Sequence, residues 1–299
     1  KRALLIFCAD NGVVEEGVSQ TGQEVTAAVV SNMTRGRSCS CLMAEKAETD
    51  VFPIDIGIAC EVEHQGKLHP LTERKIRRGT SNFTKAAAVT RQEVLTAILT
   101  GIDAVRVLKE QGYRLSAVGE MGIGNTTTSS AVASVLLQKD PELVTGAGAG
   151  LDSAGLKRKT EVIRRGIGLH HPDPMDGMEV LQKVGGFDLA AMAGAFLGGA
   201  IYHVPVVIDG VIAAAAAAAA GRIAPAATDY MLAAHVSAEP ASIWLLDLIG
   251  VTPAIQAGLR LGEGTGALAL FPLLDMALSI YRDMDTFAEM EIEEYKPLV

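Results

Sequence analysis

Four short apolar runs punctuate the chain, and each ends in an acidic residue that is followed within two positions by glycine. The runs are residues 4–9, 51–54, 115–119 and 204–208, and their acids are Asp10, Asp55, Glu120 and Asp209. Continuous apolar runs bounded by turn residues are typical of strands that are buried on both faces. The pattern therefore predicts four strands of a mostly parallel sheet.

Helix-forming stretches lie between and after these strands. They are residues 23–45, 91–111, 128–138, an alanine tract at 213–220 that Gly221 is placed to cap, and 267–281. Strands that alternate with helices imply right-handed crossovers, which place helices on both faces of the sheet. The predicted fold class is therefore α/β and Rossmann-like.

The four acids are all expected at the carboxyl edge of the sheet, where ligands bind in folds of this kind. The alternative is that each acid caps the helix that follows it. Four acids at one edge, each beside a glycine that lets the backbone come close, favour a site over four separate caps.

Composition excludes several classes of protein. The 299 residues are 49% hydrophobic, which is enough to bury a sizeable core, and the formal net charge of −9 disfavours nucleic acid and anionic membranes as partners. The four cysteines form no CxxC pair and no zinc-ligand spacing with histidine, so we expect free thiols in a reducing cytoplasm and no metal site. Because the chain opens directly on a core strand, we also expect that residues upstream have been lost.

The glycine-rich turn GEMGIGNTTTSS at residues 119–130 joins a predicted strand to a predicted helix. Its glycines let backbone N–H groups approach an oxyanion, and the first N–H groups of a helix are unpaired, so a phosphate or carboxylate fits there. The turn lacks the lysine of a P-loop, and it is not a GxGxxG fingerprint after the first strand. An ordinary capped turn is the alternative.

A second glycine-rich segment, residues 145–152, leads into the basic cluster Lys157, Arg158 and Lys159. A lysine ammonium there could reach a phosphate, although a solvated basic helix face would give the same pattern.

Glu263 lies between two glycines in an apolar context. Burial would raise its pKa and suit it to general-base catalysis, whereas the alternative is a glutamate stabilised at the start of the last helix. Residues 235–239 add histidine, serine and glutamate side chains. No catalytic triad can be argued from them, because GxSxG is absent.

In their order and spacing these motifs resemble the nicotinate-nucleotide–dimethylbenzimidazole phosphoribosyltransferases, a family that makes the lower-ligand nucleotide of cobalamin. The resemblance covers essentially the whole chain, and its most specific motifs are GEMGIGNTT at 119–127 and LGEGTGA at 261–267. Weaker matches are ADNGV at 9–13, GVS at 17–19, QEVT at 23–26, GGFDLA at 185–190, PVVIDG at 205–210 and HVS at 235–237.

The resemblance implies a Rossmann-type domain over residues 1–280 and a C-terminal extension over 281–299. The extension would contribute to a small helical domain built from both chain ends, whose N-terminal part is missing here. It also implies a dimer, formed with itself or with a paralogous chain. The reaction implied is transfer of a 5-phosphoribosyl group from nicotinate mononucleotide to an aromatic base such as 5,6-dimethylbenzimidazole, with release of nicotinate and no cofactor.

The same resemblance assigns site residues. Glu263 would be the catalytic base and Glu120 a second active-site carboxylate. Nucleotide and phosphate contacts would come from Gly122, Ile123, Gly124, Asn125, Thr126, Thr127, Gly148, Lys159, Asp209 and Ser237. Acceptor contacts would come from Thr26, Val30, Met121 and Leu261. The chain departs from the family pattern at Asn11, at Gln20-Thr21-Gly22 and at Pro240-Ala241, which leaves the acceptor the least constrained part of the prediction.

Three alternative functions remain compatible with parts of the pattern. A paralogous subunit could transfer the same group to the oxygen of phenol or p-cresol. A partner subunit could bind nucleotide without chemistry, although a degenerate copy would be expected to lose Glu263 or the glycine turn. A nicotinamide-dependent dehydrogenase would share the sheet type but lacks its fingerprint.

Overall fold

A parallel sheet of six strands, in the order β3-β2-β1-β4-β5-β6, forms the centre of the computed structural model, which describes residues 1–148 and 150–296. The strands are β1 (Arg2–Ala9), β2 (Asp50–Gly57), β3 (Thr72–Glu73), β4 (Leu115–Met121), β5 (Val206–Ile208) and β6 (Met231–Ala233). The order reverses direction between β1 and β4, and such switch points are where open α/β sheets bind ligands. The Rossmann-like prediction is therefore confirmed.

Eleven α-helices connect and flank the strands within the described residues. They are α1 (Glu24–Thr34), α2 (Cys39–Lys46), α3 (Arg91–Glu110), α4 (Asn125–Leu137), α5 (Pro141–Val144), α6 (Ser153–His170), α7 (Gly177–Val184), α8 (Phe187–Tyr202), α9 (Val211–Ile223), α10 (Ser242–Ile249) and α11 (Thr265–Asp283). None of the helices in residues 1–148 and 150–296 is both long and apolar enough to cross a membrane.

The helices cover both faces of the sheet, and β1 shows this residue by residue. Leu5 and Phe7 pack into a core that includes α3, α8 and α9, whereas Leu4 and Ile6 pack into a second core that includes α1, α2 and the start of α11. Successive side chains of a strand point to opposite faces, so an unbroken apolar run requires this double cover.

The predicted helix over residues 23–45 is wrong in one respect, because the structure divides it into α1 and α2. Gly36 adopts φ of 72°, a left-handed conformation that ends a helix at low cost. Ser38 then caps α2 by accepting a hydrogen bond from the N–H of Cys41. The expected cap at Gly221 is also wrong, since α9 continues through this residue to Ile223.

The carboxyl-terminal part of the chain leaves the sheet along α11. The second half of this helix and most of residues 284–296 are exposed, and residues 297–299 lie outside the described residues. The division into domains at residues 1–280 and 281–299 stays a prediction.

Candidate active site

A cavity of about 220 Å³ opens at the carboxyl ends of β4 and β5. Its walls come from the turn after β4, the start of α9, and the loops that precede α10 and α11. Most of the predicted site residues line it: Glu120, Met121, Gly122, Ile123, Asn125, Thr126, Gly148, Asp209, Ser237, Leu261 and Glu263. Segments far apart in the sequence thus meet at one sheet edge.

Glu263 reaches this cavity because three successive residues adopt left-handed backbone conformations. The φ angles of Gly262, Glu263 and Gly264 are 87°, 57° and 78°. The turn crosses directly over β4 at Gly119, where an added Cβ would lie only 2.6 Å from the backbone carbon of Glu263 and the nitrogen of Gly264. Glycine at position 119 therefore lets the turn rest on the strand.

The Glu263 carboxylate is half-buried, and its Oε2 accepts a hydrogen bond from Ser40 Oγ across 3.1 Å. Burial raises the pKa of Glu263, the contact with Ser40 opposes that effect, and the charge of Asp209 adds to it. A carboxylate with a raised pKa is a stronger proton acceptor than an exposed one. Glu263 lies just before the start of α11 and also lines the cavity. The sequence offered these two positions as alternatives, and the structure shows both.

Glu120, at the end of β4, is buried, and its carboxyl group lies close to Gly262 in the same cavity. Burial raises the pKa of Glu120 well above its usual range, and the nearby carboxylates Asp188, Asp209 and Glu263 raise it further. Its Oε2 accepts a hydrogen bond from the Asn125 side-chain amide. The site therefore contains two carboxyl groups that hold protons more strongly than free glutamate does.

Asp209 caps the amino-terminal end of α11. Its oxygens accept from the N–H groups of Gly264 at 3.2 Å, Gly266 at 2.6 Å and Ala267 at 3.1 Å. Asp209 Oδ1 also lies 3.9 Å from Nε2 of His235. These contacts tie β5 to the turn that carries Glu263, so Asp209 has a clear part in positioning that turn.

The glycine-rich turn after β4 offers fewer N–H groups than the sequence predicts. Ile123 N–H donates to Thr26 Oγ1, Asn125 N–H to Gly122 O, and Thr127 N–H to Gly124 O. Within the described residues, the N–H groups of Gly124 and Thr126 have no acceptor. Fewer backbone N–H groups of the turn are therefore free to bind an anion than the sequence predicts.

Several predicted residues stand outside the cavity lining. Gly124 lines a second cavity of about 60 Å³ on the other side of the turn, together with Val18 and Ser19. Thr127 is buried in α4, and its hydroxyl has no hydrogen-bond partner among the described residues.

Thr26 and Val30 are also buried in α1, outside the cavity lining. Thr26 holds the turn from behind by donating to Asp10 across 2.5 Å and accepting from Ile123. Thr26 and Val30 therefore do not line this cavity, and their contact with an acceptor stays a prediction.

Lys159 approaches the glycine-rich turn after β4 from its buried side. Its Nζ donates to Thr126 Oγ1 and to Gly146 O, each at 3.0 Å, and burial lowers its pKa to about 8. Lys157 is exposed on α6, and Arg158 is also exposed there. Two residues of the basic cluster, Lys157 and Arg158, therefore face solvent, and the ammonium of the third, Lys159, points inward.

Glu239 lines the cavity, although the sequence assigned it no individual role. Its Oε1 accepts from the N–H of Gly148 across 3.2 Å, so a carboxylate occupies part of the second glycine segment. Ala149 of that segment lies outside the described residues. The position of Glu239 matters for any anion that binds near Lys159.

Two of the four edge acids have structural roles away from the cavity. Asp10 Oδ2 accepts from Ala59 N–H, and Asp55 Oδ1 accepts from the N–H groups of Gly57 and Ile58. The prediction that all four acids lie at one edge is confirmed, but only Glu120 and Asp209 line the cavity.

Sequence reasoning missed Arg260 and Ser40. Arg260 lines the cavity. It lies three positions before Glu263, and a positive charge beside this motif was a signal visible in the sequence. Ser40 had no local signal, because it lies inside a stretch predicted only as helix and meets Glu263 across 223 positions. Among residues 1–148 and 150–296, no group of three or more potential metal ligands is placed to hold an ion.

Comparison with known proteins gives consistent matches. A family model described as phosphoribosyltransferase matches residues 1–292. Nicotinate-nucleotide–dimethylbenzimidazole phosphoribosyltransferases of Ruminiclostridium cellulolyticum and Clostridium acetobutylicum are each 45% identical over 297 residues, covering 99% of this chain and 83% of the relative. The crystal structure of CobT from Thermus thermophilus superposes with a TM-score of 0.92 at 38% identity, covering 99% of this chain and 87% of that one.

Proposed function

The chain belongs to the nicotinate-nucleotide–dimethylbenzimidazole phosphoribosyltransferase family, and from this membership we propose how its cavity performs the reaction. It transfers the 5-phosphoribosyl group of nicotinate mononucleotide to an aromatic lower-ligand base, releasing nicotinate for cobamide synthesis. The proposal rests on the observation that Glu263 and Glu120 share one cavity with the glycine-rich turn after β4.

Glu263 is the proton acceptor in this proposal. A benzimidazole nitrogen attacks C1′ of the ribose, and its other ring nitrogen must lose a proton as the new C–N bond forms. The raised pKa of Glu263 suits it to take that proton near neutral pH. Met121 and Leu261 line the same cavity and supply apolar surface for the acceptor ring.

The donor needs little acid catalysis, because its glycosidic nitrogen already belongs to a pyridinium ring. When the C1′–N bond breaks, its electron pair neutralises that ring and nicotinate leaves. The transition state carries positive charge on the ribosyl group, which nearby carboxylates stabilise. Glu120 is placed for this part, since a cation in the cavity would favour its ionised form.

The donor phosphate is proposed to bind at the N-terminus of α4, on the N–H group of Thr126, which lines the cavity, with the Lys159 ammonium behind it. Ser237 lines the same cavity and can add a hydroxyl contact. Glu239 lines the same cavity and accepts from the N–H of Gly148, so we expect its carboxylate to move away as the phosphate binds, because like charges repel. Arg260 gives the cavity mouth a positive charge that would face the carboxylate of nicotinate.

The test is incubation with nicotinate mononucleotide and an equal mixture of 5,6-dimethylbenzimidazole and phenol, with products read by mass spectrometry. We expect the benzimidazole nucleotide and free nicotinate in equal amounts. Predominant phenol product would replace the benzimidazole assignment with oxygen transfer. Absence of both nucleotides would contradict a transferase and favour a subunit that only binds.

The proposal extends to assembly and location. An exposed apolar face on the second half of α11 supports a dimer, and Leu273, Met276 and Ile280 belong to it. The thiols of Cys8, Cys39, Cys41 and Cys60 are all free, which supports a reducing compartment such as the cytoplasm.

A further inference from the structure

A chain of hydroxyl groups connects the start of α2 with the carboxylate of Glu263. Ser40 Oγ donates to Glu263 Oε2 across 3.1 Å, and Ser38 Oγ lies 2.8 Å from Ser40 Oγ. Ser38 Oγ in turn accepts from the N–H of Cys41 across 3.2 Å. Both serines are buried, with exposed fractions of 5% for Ser38 and 0% for Ser40.

We propose that Ser40 is a positioning residue that aims the Glu263 carboxylate into the cavity and poises it to accept a proton, with Ser38 orienting the Ser40 hydroxyl. This inference deepens the proposed function and rests on the role of Glu263 as proton acceptor. Neither serine lines the cavity, so both act through Glu263.

The direction of the hydrogen bonds follows from counting protons. A serine hydroxyl carries a single proton, and Ser40 uses its proton on Glu263. Ser38 must therefore be the donor in the pair with Ser40. Its own acceptor capacity is used by the N–H of Cys41. The resulting chain runs in one direction towards the carboxylate, and aligned hydrogen bonds of this kind polarise one another.

Other groups around Glu263 do not substitute for this contact. The titratable groups that face it are Glu120 on β4, Asp209 after β5, Cys8 on β1 and Cys41 on α2, while His235 and Arg260 line the same cavity. Burial and Asp209 disfavour the ionised form of Glu263, whereas the hydroxyl and backbone N–H of Ser40 favour it. Ser40 is thus the side chain that offsets the burial of the base.

The deciding experiment is the pH dependence of kcat/KM in Ser40→Ala. Loss of the donor makes Glu263 hold its proton more strongly, so we expect the acidic limb of the profile to move up by about one pH unit. Activity should recover above that limb, and KM for both substrates should change little. Ser38→Ala should shift the limb in the same direction by less, because Ser40 keeps its own donor bond.

Matched variants separate this role from simple packing. Ser40→Thr keeps a hydroxyl and should return the limb towards wild type, whereas Cys39→Ala, at an exposed neighbouring position on α2, should leave the profile unchanged. If Ser40→Ala does not fold, Ser40→Cys keeps the shape without a strong donor and should show the same shift. Lower kcat at every pH with an unmoved limb would overturn the proposal.

Infrared difference titration of the Glu263 carboxylate, assigned by its loss in Glu263→Gln, supplies a readout that does not depend on turnover. We expect its midpoint to rise in Ser40→Ala by the same amount as the kinetic limb. If the wild-type protein transfers no phosphoribosyl group, the proposed function is wrong. A shifted titration midpoint of Glu263 in Ser40→Ala would still establish the contact with Ser40. If the enzyme is active and the midpoint does not shift, the positioning role of Ser40 is wrong while the proposed function stands.

Discussion

At the scale of single residues, the site depends on buried ionisable groups whose proton affinities differ from those of free side chains. Glu263 and Glu120 hold their protons more strongly because burial penalises the charged carboxylate, whereas burial makes Lys159 release its proton more easily. Shifted pKa values that cluster around one site are typical of catalytic sites. Each shift gives a measurable consequence.

Glu263→Gln should bind both substrates but lose most turnover. Glutamine keeps the size and polarity of the side chain yet cannot accept the acceptor's proton, and such losses reduce rates by roughly 10²–10⁴-fold. The measurement is kcat for the variant beside a direct binding titration of nicotinate mononucleotide. Glu45→Gln, at an exposed site on α2, is the matched control and should behave as wild type. A variant with unchanged kcat would remove Glu263 from the base role.

Lys159 should make the empty protein more stable as pH rises from about 8 towards 10. Its pKa is about 8 in the folded chain and roughly 10.4 when unfolded, so the unfolded state binds more protons in that interval. Integrated over the full difference, the gain is on the order of 3 kcal/mol. Below pH 8 a bound phosphate should offset this cost, because an anion favours the charged ammonium.

Urea unfolding of Lys159→Met at several pH values checks this prediction. The variant should lose the rise in stability between pH 8 and 10 and should bind nicotinate mononucleotide more weakly. Lys157→Met, at an exposed position two residues away, should keep the wild-type pH dependence. Identical pH dependence in both variants would show that Lys159 does not titrate in this interval.

At the scale of elements, the site is assembled by turns that only glycine permits. Gly119 is the clearest case, because a Cβ there would come within 2.6 Å of the backbone that carries Glu263. Gly119→Ala should displace that turn, lower kcat/KM by at least the loss in Glu263→Gln, and destabilise the fold by about 1–3 kcal/mol. Kinetics and urea unfolding measure the two effects. Gly168→Ala on α6, where an added Cβ meets nothing within 4 Å, should be neutral or slightly stabilising.

The elements that the sequence predicted well are those with long, regular patterns. The predicted apolar runs of six and five residues became β1 and β4, which have eight and seven residues, and the predicted helix at 91–111 became α3, which has 20 residues. The strands β3 and β6 are only two and three residues long, too short for alternation to be recognised. The break between α1 and α2 was missed because Gly36 interrupts an otherwise helical stretch, and a single glycine is tolerated in many helices.

The same reasoning explains which site residues could be predicted. Glu120 and Glu263 follow from local motifs, since a carboxylate beside glycines at a strand end or helix start is visible in the sequence. The inward direction of Lys159, the turn-holding role of Asp209 and the contact from Ser40 depend on distances between remote segments. Asp10 and Asp55 look like site acids in the sequence, but backbone N–H groups occupy them. Whether a carboxylate binds backbone N–H groups or a ligand depends on the tertiary structure, so the sequence alone does not predict it.

At the scale of the whole molecule, the packing of the helices on the sheet leaves an apolar face of α11 uncovered. Leu273, Met276 and Ile280 follow one another at helical spacing along α11, and Met284 lies directly after the helix; their exposed fractions run from 43% to 68%. Scattered apolar side chains on a surface are ordinary, whereas a continuous stripe marks an interaction site. We expect a second copy of this chain to cover it, because symmetric homodimers are the commonest closed assembly.

A Met276→Glu/Ile280→Glu double variant tests that assembly. Two carboxylates placed in the stripe would be desolvated on association, so the purified protein should shift from dimer to monomer in sedimentation equilibrium. The first half of α11 packs on the sheet and the substitutions lie beyond it, so the thermal unfolding of the monomer should remain cooperative. Arg282→Glu lies on the opposite side of the helix, changes the charge in the same sense, and should stay dimeric. A wild-type protein that sediments as a monomer would rule out self-association through this face, whereas dissociation of the Arg282→Glu control would show that net charge rather than the apolar stripe holds the two copies together.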